Sequence, residues 1–130
     1  MIVLDASAVV ELVLWSEAGR RVGARVADVR HTLHAPHLLD VEVAQVLRRA
    51  ERLKLLSPKR ASEALTATTE LDLIRYAHQP LLPRAWELRR NCTAYDAVYL
   101  ALAEALDAPL LTLDARLASV PGVRCEVQIA

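Results

Sequence analysis

Two acidic residues of this chain directly follow short apolar runs. Asp5 comes after Ile2–Leu4, and Asp114 comes after Leu110–Leu113. If these runs are parallel strands, both aspartates lie beyond the carboxyl ends of the strands, where sites form in α/β sheets. Each aspartate taken alone is also explained as the N-cap of the helix that follows it. Two strand-end aspartates in one small sheet favour a shared site more than either residue does alone.

Two further acidic residues are predicted to lie on helices. Glu42 falls at the edge of an apolar stripe over residues 39–53, with no basic residue three or four positions away to form an ion pair. Glu42 is therefore a candidate site residue; the alternative is that it is a surface glutamate whose carboxylate extends from the edge of the stripe into solvent. Asp96 opens the most apolar helix of the chain, where an acid in the first turn also complements the helix dipole. We expect Asp96 to be partly desolvated and to need a partner.

The four carboxylates predict a metal site if they meet at one end of the sheet. Like charges that lie close together repel and raise one another's pKa unless a cation lies among them. Ligation by oxygen alone favours Mg²⁺ or Mn²⁺ over Zn²⁺. Such ions lower the pKa of a bound water and neutralise charge on an attacked phosphate. The predicted chemistry is therefore metal-assisted hydrolysis of a phosphodiester.

Apolar runs and amphipathic segments alternate along the chain and predict the elements that position these residues. The predicted strands are 2–4, 33–35, 71–76, 110–113 and 125–129. The predicted helices are 8–15, 17–29, 39–53, 58–68, 82–90, 94–106 and 115–119. This alternation predicts an α/β fold with a central, mainly parallel sheet of about five strands covered by helices on both faces. A chain of 130 residues with 54% apolar composition predicts one domain over residues 1–130.

Composition and residue spacing argue against several other classes of protein. Sixteen basic residues balance sixteen acidic ones, so the net charge does not point to a nucleic-acid or membrane partner. No segment is apolar for the roughly 20 residues that a membrane helix needs, and no basic leader is visible, so we expect a cytoplasmic protein. Cys92 and Cys125 show no spacing typical of a zinc knuckle or a disulfide framework. We interpret His31, His34 and His37 as surface or packing residues rather than metal ligands.

Four blocks of sequence surround the acidic residues: VLDASA at 3–8, APHLLDVE at 35–42, TAYDAVYLALAE at 93–104 and PLLTLDARL at 109–117. In order and spacing they resemble the PIN-domain family, specifically the VapC toxins of bacterial toxin–antitoxin pairs. The resemblance covers essentially the whole chain and implies a three-layer α/β/α fold and an endoribonuclease that depends on Mg²⁺ or Mn²⁺. The family's four acidic positions fall on Asp5, Glu42, Asp96 and Asp114. By this resemblance Asp5 and Asp96 are the core metal ligands, Glu42 and Asp114 complete the pocket directly or through water, and water is the nucleophile.

Residues near these acids are candidates for contact with the substrate. Ser7 and Thr112 are predicted to orient the ligands Asp5 and Asp114 or to contact phosphate; hydrogen bonding to local backbone is the alternative. Arginines suit bidentate contacts to phosphate, and the candidates are Arg84, Arg89, Arg90 and Arg116. The segment 48–60 carries six basic residues against one acidic residue. It predicts a path for an RNA backbone, a receptor for an acidic partner, or a solvated helix face.

The resemblance also implies partners. These are a cognate VapB-like antitoxin, an RNA substrate and a second copy of the chain in a homodimer, which can join the antitoxin in a hetero-tetramer or larger assembly. Operator DNA is then reached only through the antitoxin, and no membrane partner is expected. The alternative function is chiefly that of a non-catalytic module which binds antitoxin and operator DNA as a co-repressor. Loss of Asp5 or Asp96 separates the two, because it abolishes cleavage and spares partner binding. Trp15, after an apolar helix, is predicted to pack in the core, with packing at a subunit interface as the alternative.

Overall fold

The computed structural model describes residues 1–130 and has a five-stranded sheet at its centre. The strands are β1 (Ile2–Leu4), β2 (Leu33–Pro36), β3 (Leu73–Tyr76), β4 (Leu110–Thr112) and β5 (Val127–Ile129). Their order in the sheet is β3-β2-β1-β4-β5, and every neighbouring pair is parallel. This confirms the predicted parallel sheet, and all five predicted strands are present.

Helices cover both faces of the sheet. They are α1 (Ala6–Leu14), α2 (Glu17–Val26), α3 (Leu38–Arg52), α4 (Pro58–Glu70), α5 (Leu82–Glu87) and α6 (Ala94–Ala105), with short 3-10 helices at Gln79–Leu81 and Ala115–Ser119. Helices α1 to α4 pack on one another, α5 and α6 pack together, and the sheet lies between the two groups. This is the three-layer α/β/α arrangement predicted from the sequence. None of the helices combines the length and the apolar character that crossing a membrane requires.

Side-chain caps set where most of the helices begin. Four residues each accept a hydrogen bond from the backbone N–H three positions later: Asp5, Ser16, Ser57 and Thr93. Helix α3 has no such local cap. Instead, the Leu38 N–H donates to Nε2 of His78, 2.8 Å away and 40 residues later in the chain. The start of the helix that carries Glu42 is therefore held by a residue beyond the end of β3.

The core is built around the central strands and α6. Strands β1 and β4 are buried along their whole length, and α6 buries residues 97–103 without a break. This helix is apolar on nearly all sides because it contacts the sheet, α5 and the 3-10 helix Gln79–Leu81. His34, on β2, is also buried, and its ring nitrogens contact the hydroxyls of Thr32 and Tyr76 at 2.7 and 2.8 Å. Its packing role is confirmed.

The predicted elements differ from the observed ones mainly at their ends. The strand predicted from Leu71 begins at Leu73, and the helix predicted to Arg90 ends at Glu87. The prediction that Trp15 packs in the core is wrong, because its side chain is 60% exposed. Helix α1 ends at Leu14, and Trp15 caps it with a left-handed φ of 54°, which places one edge of the indole ring against Gly23.

Candidate metal centre at the carboxyl edge of the sheet

The fold places the four predicted acidic residues at the carboxyl edge of the sheet. Asp5 follows β1 and Asp114 follows β4, and these two strands are hydrogen-bonded neighbours. Glu42 lies in the second turn of α3, which begins just after β2 ends. Asp96 lies in the first turn of α6, the helix that precedes β4. Parallel strands bring these termini together because all their carboxyl ends meet at one edge.

Asp5 is the most enclosed of the four, with only 7% of its surface exposed. Its Oδ1 accepts hydrogen bonds from the Ser7 hydroxyl at 2.7 Å and the Ala8 N–H at 3.0 Å, and its Oδ2 accepts one from Thr112. Burial raises the pKa of Asp5 above its ordinary value, these hydrogen bonds counteract part of the rise, and the charge of Asp114 adds to it. Asp5 is thus the N-cap of α1 and also lies beside another carboxylate.

Ser7 and Thr112 link the loops that follow β1 and β4. While both hydroxyls donate to Asp5, the Ser7 oxygen accepts the Leu113 N–H at 3.0 Å and the Thr112 oxygen accepts the Asp114 N–H at 2.9 Å. Both hydroxyls thus orient the Asp5 carboxylate. The N–H that Thr112 accepts is local, whereas the one that Ser7 accepts belongs to Leu113, 106 positions away in the chain.

Glu42 is oriented by a residue that the sequence did not indicate. The phenol of Tyr99, a buried residue of α6, donates a hydrogen bond of 2.6 Å to Oε1 of Glu42. Burial raises the pKa of Glu42, the tyrosine hydrogen bond lowers it, and the charges of Asp96 and Asp5 raise it, so that it lies above its ordinary value. Burial and the neighbouring Glu42 strongly raise the pKa of Tyr99, so the phenol keeps its proton. The available sequence signal was that Tyr99 lies three positions after Asp96, on the same face of the helix.

Asp114 is paired with Arg116. The guanidinium donates from Nε to Oδ1 at 3.0 Å and from Nη2 to Oδ2 at 2.6 Å, and the Arg116 N–H donates to Oδ1 at 3.0 Å. These bonds lower the pKa of Asp114. The backbone N–H of Asp96 donates to the capping hydroxyl of Thr93 at 3.1 Å, whereas its carboxylate has no hydrogen-bond donor from the protein. The Thr93 hydroxyl is therefore the N-cap of the helix that carries Asp96.

The donor set fits a hard divalent cation. Asp114 acts electrostatically on Asp5, and Asp5 and Asp96 act on Glu42, so the four negative charges form one coupled group. All of the candidate donor atoms are carboxylate oxygens, which Mg²⁺ and Mn²⁺ prefer. In this arrangement three of the carboxylates are turned towards protein donors, and no three acidic, histidine or cysteine side chains are close enough together to hold one ion. An ion held by three or more of these carboxylates would therefore require them to lie closer together than they do here.

A cavity of about 340 Å³ opens beside Asp96. Its lining includes Asn91, Cys92, Thr93, Asp96, Arg116 and Ser119. The cavity is thus bordered by one carboxylate, one arginine, several neutral polar groups and the apolar side chains of Leu117 and Val120.

The other predicted arginines lie at different distances from this site. Arg84 donates to Glu104 at 2.7 Å, and Glu104 lies eight residues after Asp96, about 12 Å along α6. The prediction of Arg84 as a phosphate contact is therefore not supported, because its guanidinium already holds the far end of this helix. Arg89 stacks over the Trp86 ring at 4.7 Å, and Arg90 is exposed. Neither is bonded to any of the four carboxylates, which leaves Arg116 as the arginine within the site.

The fold and the acidic edge together define an α/β/α domain with a carboxylate site, and comparison with known proteins identifies the family. The model of the PIN domain family matches residues 2–123. Ribonuclease VapC1 of Mycobacterium tuberculosis is 47% identical over 133 residues, which cover 98% of this chain and 96% of the relative. Ribonuclease VapC12 of the same species is 40% identical over 129 residues, with 99% and 98% covered. The chain belongs to the PIN-domain family, in its VapC branch.

Solved structures support the same fold at lower sequence identity. VapBC2 from Rickettsia felis, bound to a DNA fragment from its promoter, matches with a TM-score of 0.72 at 14% identity, covering 99% of this chain and 98% of that one. VapC20 of Mycobacterium tuberculosis, described as a Sarcin-Ricin loop cleaving toxin, matches with a TM-score of 0.69 at 15% identity, covering 95% and 97%. At these identities the likeness concerns the fold alone.

Proposed function

We propose that this chain is the toxin of a VapBC-type toxin–antitoxin pair and an endoribonuclease that hydrolyses RNA phosphodiester bonds with Mg²⁺ or Mn²⁺. The observation that carries the proposal is the electrostatically coupled group of four carboxylates at the carboxyl edge of the sheet: Asp5, Glu42, Asp96 and Asp114. RNA is the favoured substrate because full-length relatives at 47% and 40% identity are named ribonucleases.

The four carboxylates have distinct tasks in this proposal. Asp5 and Asp96 are the principal metal ligands, and Glu42 and Asp114 complete the pocket directly or through water. When bound, a divalent ion neutralises charge on the scissile phosphate and lowers the pKa of the water that attacks it. Water is the nucleophile in this scheme. The protein itself aligns the ligands and holds the RNA backbone.

Neighbouring residues support that alignment. Ser7 and Thr112 each donate a hydrogen bond from the side-chain hydroxyl to Asp5 and so hold its carboxylate plane at the end of β1. Tyr99 does the same for Glu42. Donors of this kind fix the direction of a metal ligand, and their loss typically reduces metal affinity or activity by about 10- to 100-fold.

Arginines at the rim of the site are the proposed contacts to RNA phosphates. Arg116 lines the cavity that contains Asp96, and its side chain is 86% exposed, so it can reach a bound strand. Arg89 and Arg90 are exposed on the segment that leads to α6 and can contact phosphates farther along the strand. Guanidinium groups suit this role because they bind phosphate in a bidentate manner.

The proposed partners are a VapB-like antitoxin and a second copy of the chain, which together form a hetero-tetramer or larger assembly. Helices α3 and α4 and the loop between them expose apolar side chains that are 38–74% accessible, namely Val41, Val46, Leu53, Leu55 and Leu65. Basic residues of the segment 48–60 lie among them. An exposed apolar surface with a basic margin suits an amphipathic protein partner. Contact with operator DNA is proposed only through the antitoxin.

The test is cleavage of total RNA by the purified chain in Mg²⁺ or Mn²⁺, with and without EDTA. Asp96→Asn should reduce cleavage by about 100-fold or more, since even the partners of metal ligands contribute up to about 100-fold. Asp28→Asn is the matched control, because Asp28 lies in the loop between α2 and β2, before the start of a strand. Its cleavage should equal that of the wild type. Cleavage that persists in EDTA or in Asp96→Asn contradicts the proposed mechanism.

The same variant separates catalysis from the alternative role as a co-repressor. Asp96→Asn should still bind the antitoxin, because that carboxylate is not part of the apolar surface on α3 and α4. A wild-type chain that binds Mn²⁺ and the antitoxin but cuts no RNA in a total RNA preparation would favour the non-catalytic alternative.

A further inference from the structure

Arg116 donates hydrogen bonds to both carboxylate oxygens of Asp114, a proposed metal ligand. Its Nε and Nη2 donate to Oδ1 and Oδ2 of Asp114 at 3.0 and 2.6 Å, which is a bidentate pair. The guanidinium is also close enough to Asp96 for the two charges to attract each other. One arginine therefore supplies the positive charge next to two of the four carboxylates.

The chain contains the same pair at a second position, away from the site. Arg30 donates to Asp28 from Nε at 3.0 Å and from Nη2 at 2.6 Å, and its backbone N–H donates to Oδ1 at 3.0 Å. Both arginine side chains are 86% exposed. The geometry is thus a local property of the Asp-x-Arg sequence, and the two pairs differ in their surroundings. Of the two aspartates, only Asp114 lies close enough to a buried carboxylate, Asp5, for the two negative charges to repel each other.

We propose that Arg116 is an internal counter-ion that competes with the divalent cation for Asp114, so that metal binding displaces the guanidinium towards the RNA strand. This inference rests on the proposed function, since it assigns Asp114 to the metal site. Displacement is feasible because the Arg116 side chain is 86% exposed and stays hydrated when it leaves the carboxylate. The displaced side chain stays at the rim of the cavity beside Asp96, where a phosphate would lie.

The competition makes a specific prediction about metal affinity, measured by isothermal titration calorimetry with MnCl₂ and no RNA. Arg116→Ala should bind Mn²⁺ about fivefold more tightly than the wild type, because the ion no longer has to displace an ion pair from Asp114. Arg30→Ala removes an identical pair and the same charge elsewhere, and its affinity for Mn²⁺ should equal that of the wild type. Thermal unfolding of both variants in EDTA verifies that they are folded.

A double-variant cycle separates competition at Asp114 from a general effect of charge. In the Asp114→Asn background, adding Arg116→Ala should change the Mn²⁺ affinity by less than twofold, because the contested carboxylate is already absent. The proposal is overturned if Arg116→Ala binds Mn²⁺ no more tightly than the wild type. It is also overturned if the full gain persists in the Asp114→Asn background.

Displacement can be observed directly by NMR of the arginine Nε–Hε groups. Titration of the wild type with diamagnetic Mg²⁺ should shift the Arg116 Nε–Hε signal and leave that of Arg30 in place, and variants of each residue assign the two signals. An Arg116 signal that stays still while Mg²⁺ binds would show that the pair survives and would exclude displacement. If the wild type binds neither Mn²⁺ nor Mg²⁺, the proposed function itself fails and this inference fails with it. Metal binding without tighter binding by Arg116→Ala refutes the inference alone.

Discussion

The phenol of Tyr99 on α6 donates a hydrogen bond of 2.6 Å to the carboxylate of Glu42 on α3. The two residues are 57 positions apart, and they lie on helices of opposite layers. The bond passes beyond the carboxyl edge of the sheet and joins the helix that carries Asp96 to the helix that carries Glu42. The spacing of the two helices and the direction of one carboxylate therefore depend on the same contact.

Removal of this donor should weaken both the fold and the site. Tyr99→Phe keeps the ring and removes a hydrogen bond to a charged group, so the free energy of unfolding in urea should fall by about 1–2 kcal/mol. Glu42→Gln retains an acceptor oxygen and serves as the second arm of a double-mutant cycle. The two substitutions should be non-additive by at least about 0.5 kcal/mol. Additive effects would mean that the hydrogen bond contributes nothing to stability.

The contact between α1 and α2 requires a glycine at position 19. A Cβ added to Gly19 would lie 1.8 Å from the carbonyl oxygen of Glu11, which is backbone and cannot move aside. Gly19→Ala should therefore lower the free energy of unfolding by about 3 kcal/mol or more. Gly23→Ala is the matched control, since its Cβ would meet only side-chain atoms of Trp15 and Leu12 at 3.4 Å or more. It should be neutral or stabilising by up to about 1 kcal/mol. Equal effects of the two alanines in thermal unfolding would contradict this account.

The stability of the metal-free chain should depend on the ionisation of Asp5. The pKa of Asp5 is raised in the folded chain, so the folded chain binds the carboxyl proton more tightly than the unfolded chain does. Stability is therefore lost as pH rises from the ordinary pKa through the raised one. Asp5→Asn keeps a good N-cap and removes the charge. In EDTA at pH 7 it should raise Tm by about 2–5 °C.

The pH dependence of this difference provides the check. The gap in Tm should shrink as pH falls towards the ordinary Asp pKa of 3.8, where wild-type Asp5 is protonated in the folded chain and increasingly so in the unfolded chain. His34 has the opposite effect, because burial lowers its pKa and stability is lost as pH falls through 6.5. Both chains contain His34, so its contribution cancels in the comparison. A gap in Tm that is constant between pH 4 and 7 is the contradicting result.

One ion pair outside the site should contribute to stability. Arg75 on β3 donates to Asp40 on α3 from Nε at 2.7 Å and from Nη2 at 3.0 Å, and also to the Thr68 carbonyl at 3.0 Å. The two charged side chains are 24% and 33% exposed, so solvent screens them only in part. Arg75→Ala should lower the free energy of unfolding by about 1–2 kcal/mol. The pair of Arg30 and Asp28 is the control, because the Arg30 side chain is 86% exposed, and Arg30→Ala should leave urea unfolding unchanged. An unchanged free energy of unfolding in Arg75→Ala would show that the ion pair makes no net contribution to stability.

Much of the fold was predictable because its signals are local. The caps at Ser57 and Thr93, the apolar periodicity of α3 and the short apolar runs identify elements through interactions between residues a few positions apart. Element ends were less predictable. Trp15 shows why: an apolar residue at the end of an apolar helix was expected to be buried, whereas its left-handed backbone turns it outward.

The partners of the four carboxylates could not be predicted from the sequence. Thr112 lies 107 positions from Asp5, and no local pattern links the two residues. Arg84 and Arg116 looked equally suitable as phosphate contacts, yet packing places Arg84 on Glu104 and only Arg116 at the acidic edge. The choice depends on which side chains face each other after distant elements pack.

The sequence by itself determined the family, the order of the elements and the edge of the sheet at which the four acids lie. Periodicity and capping act over a few residues, and parallel strands place all their carboxyl ends together, so these features follow from the chain alone. Only the tertiary structure decided how each carboxylate is held: Asp5 by two hydroxyls, Glu42 by Tyr99, Asp114 by Arg116, and Asp96 by no side chain. These contacts arise only when α3, α6, β1 and β4 pack against one another. The resulting distances and burial set the pKa values of the carboxylates and decide which side chains they are bonded to.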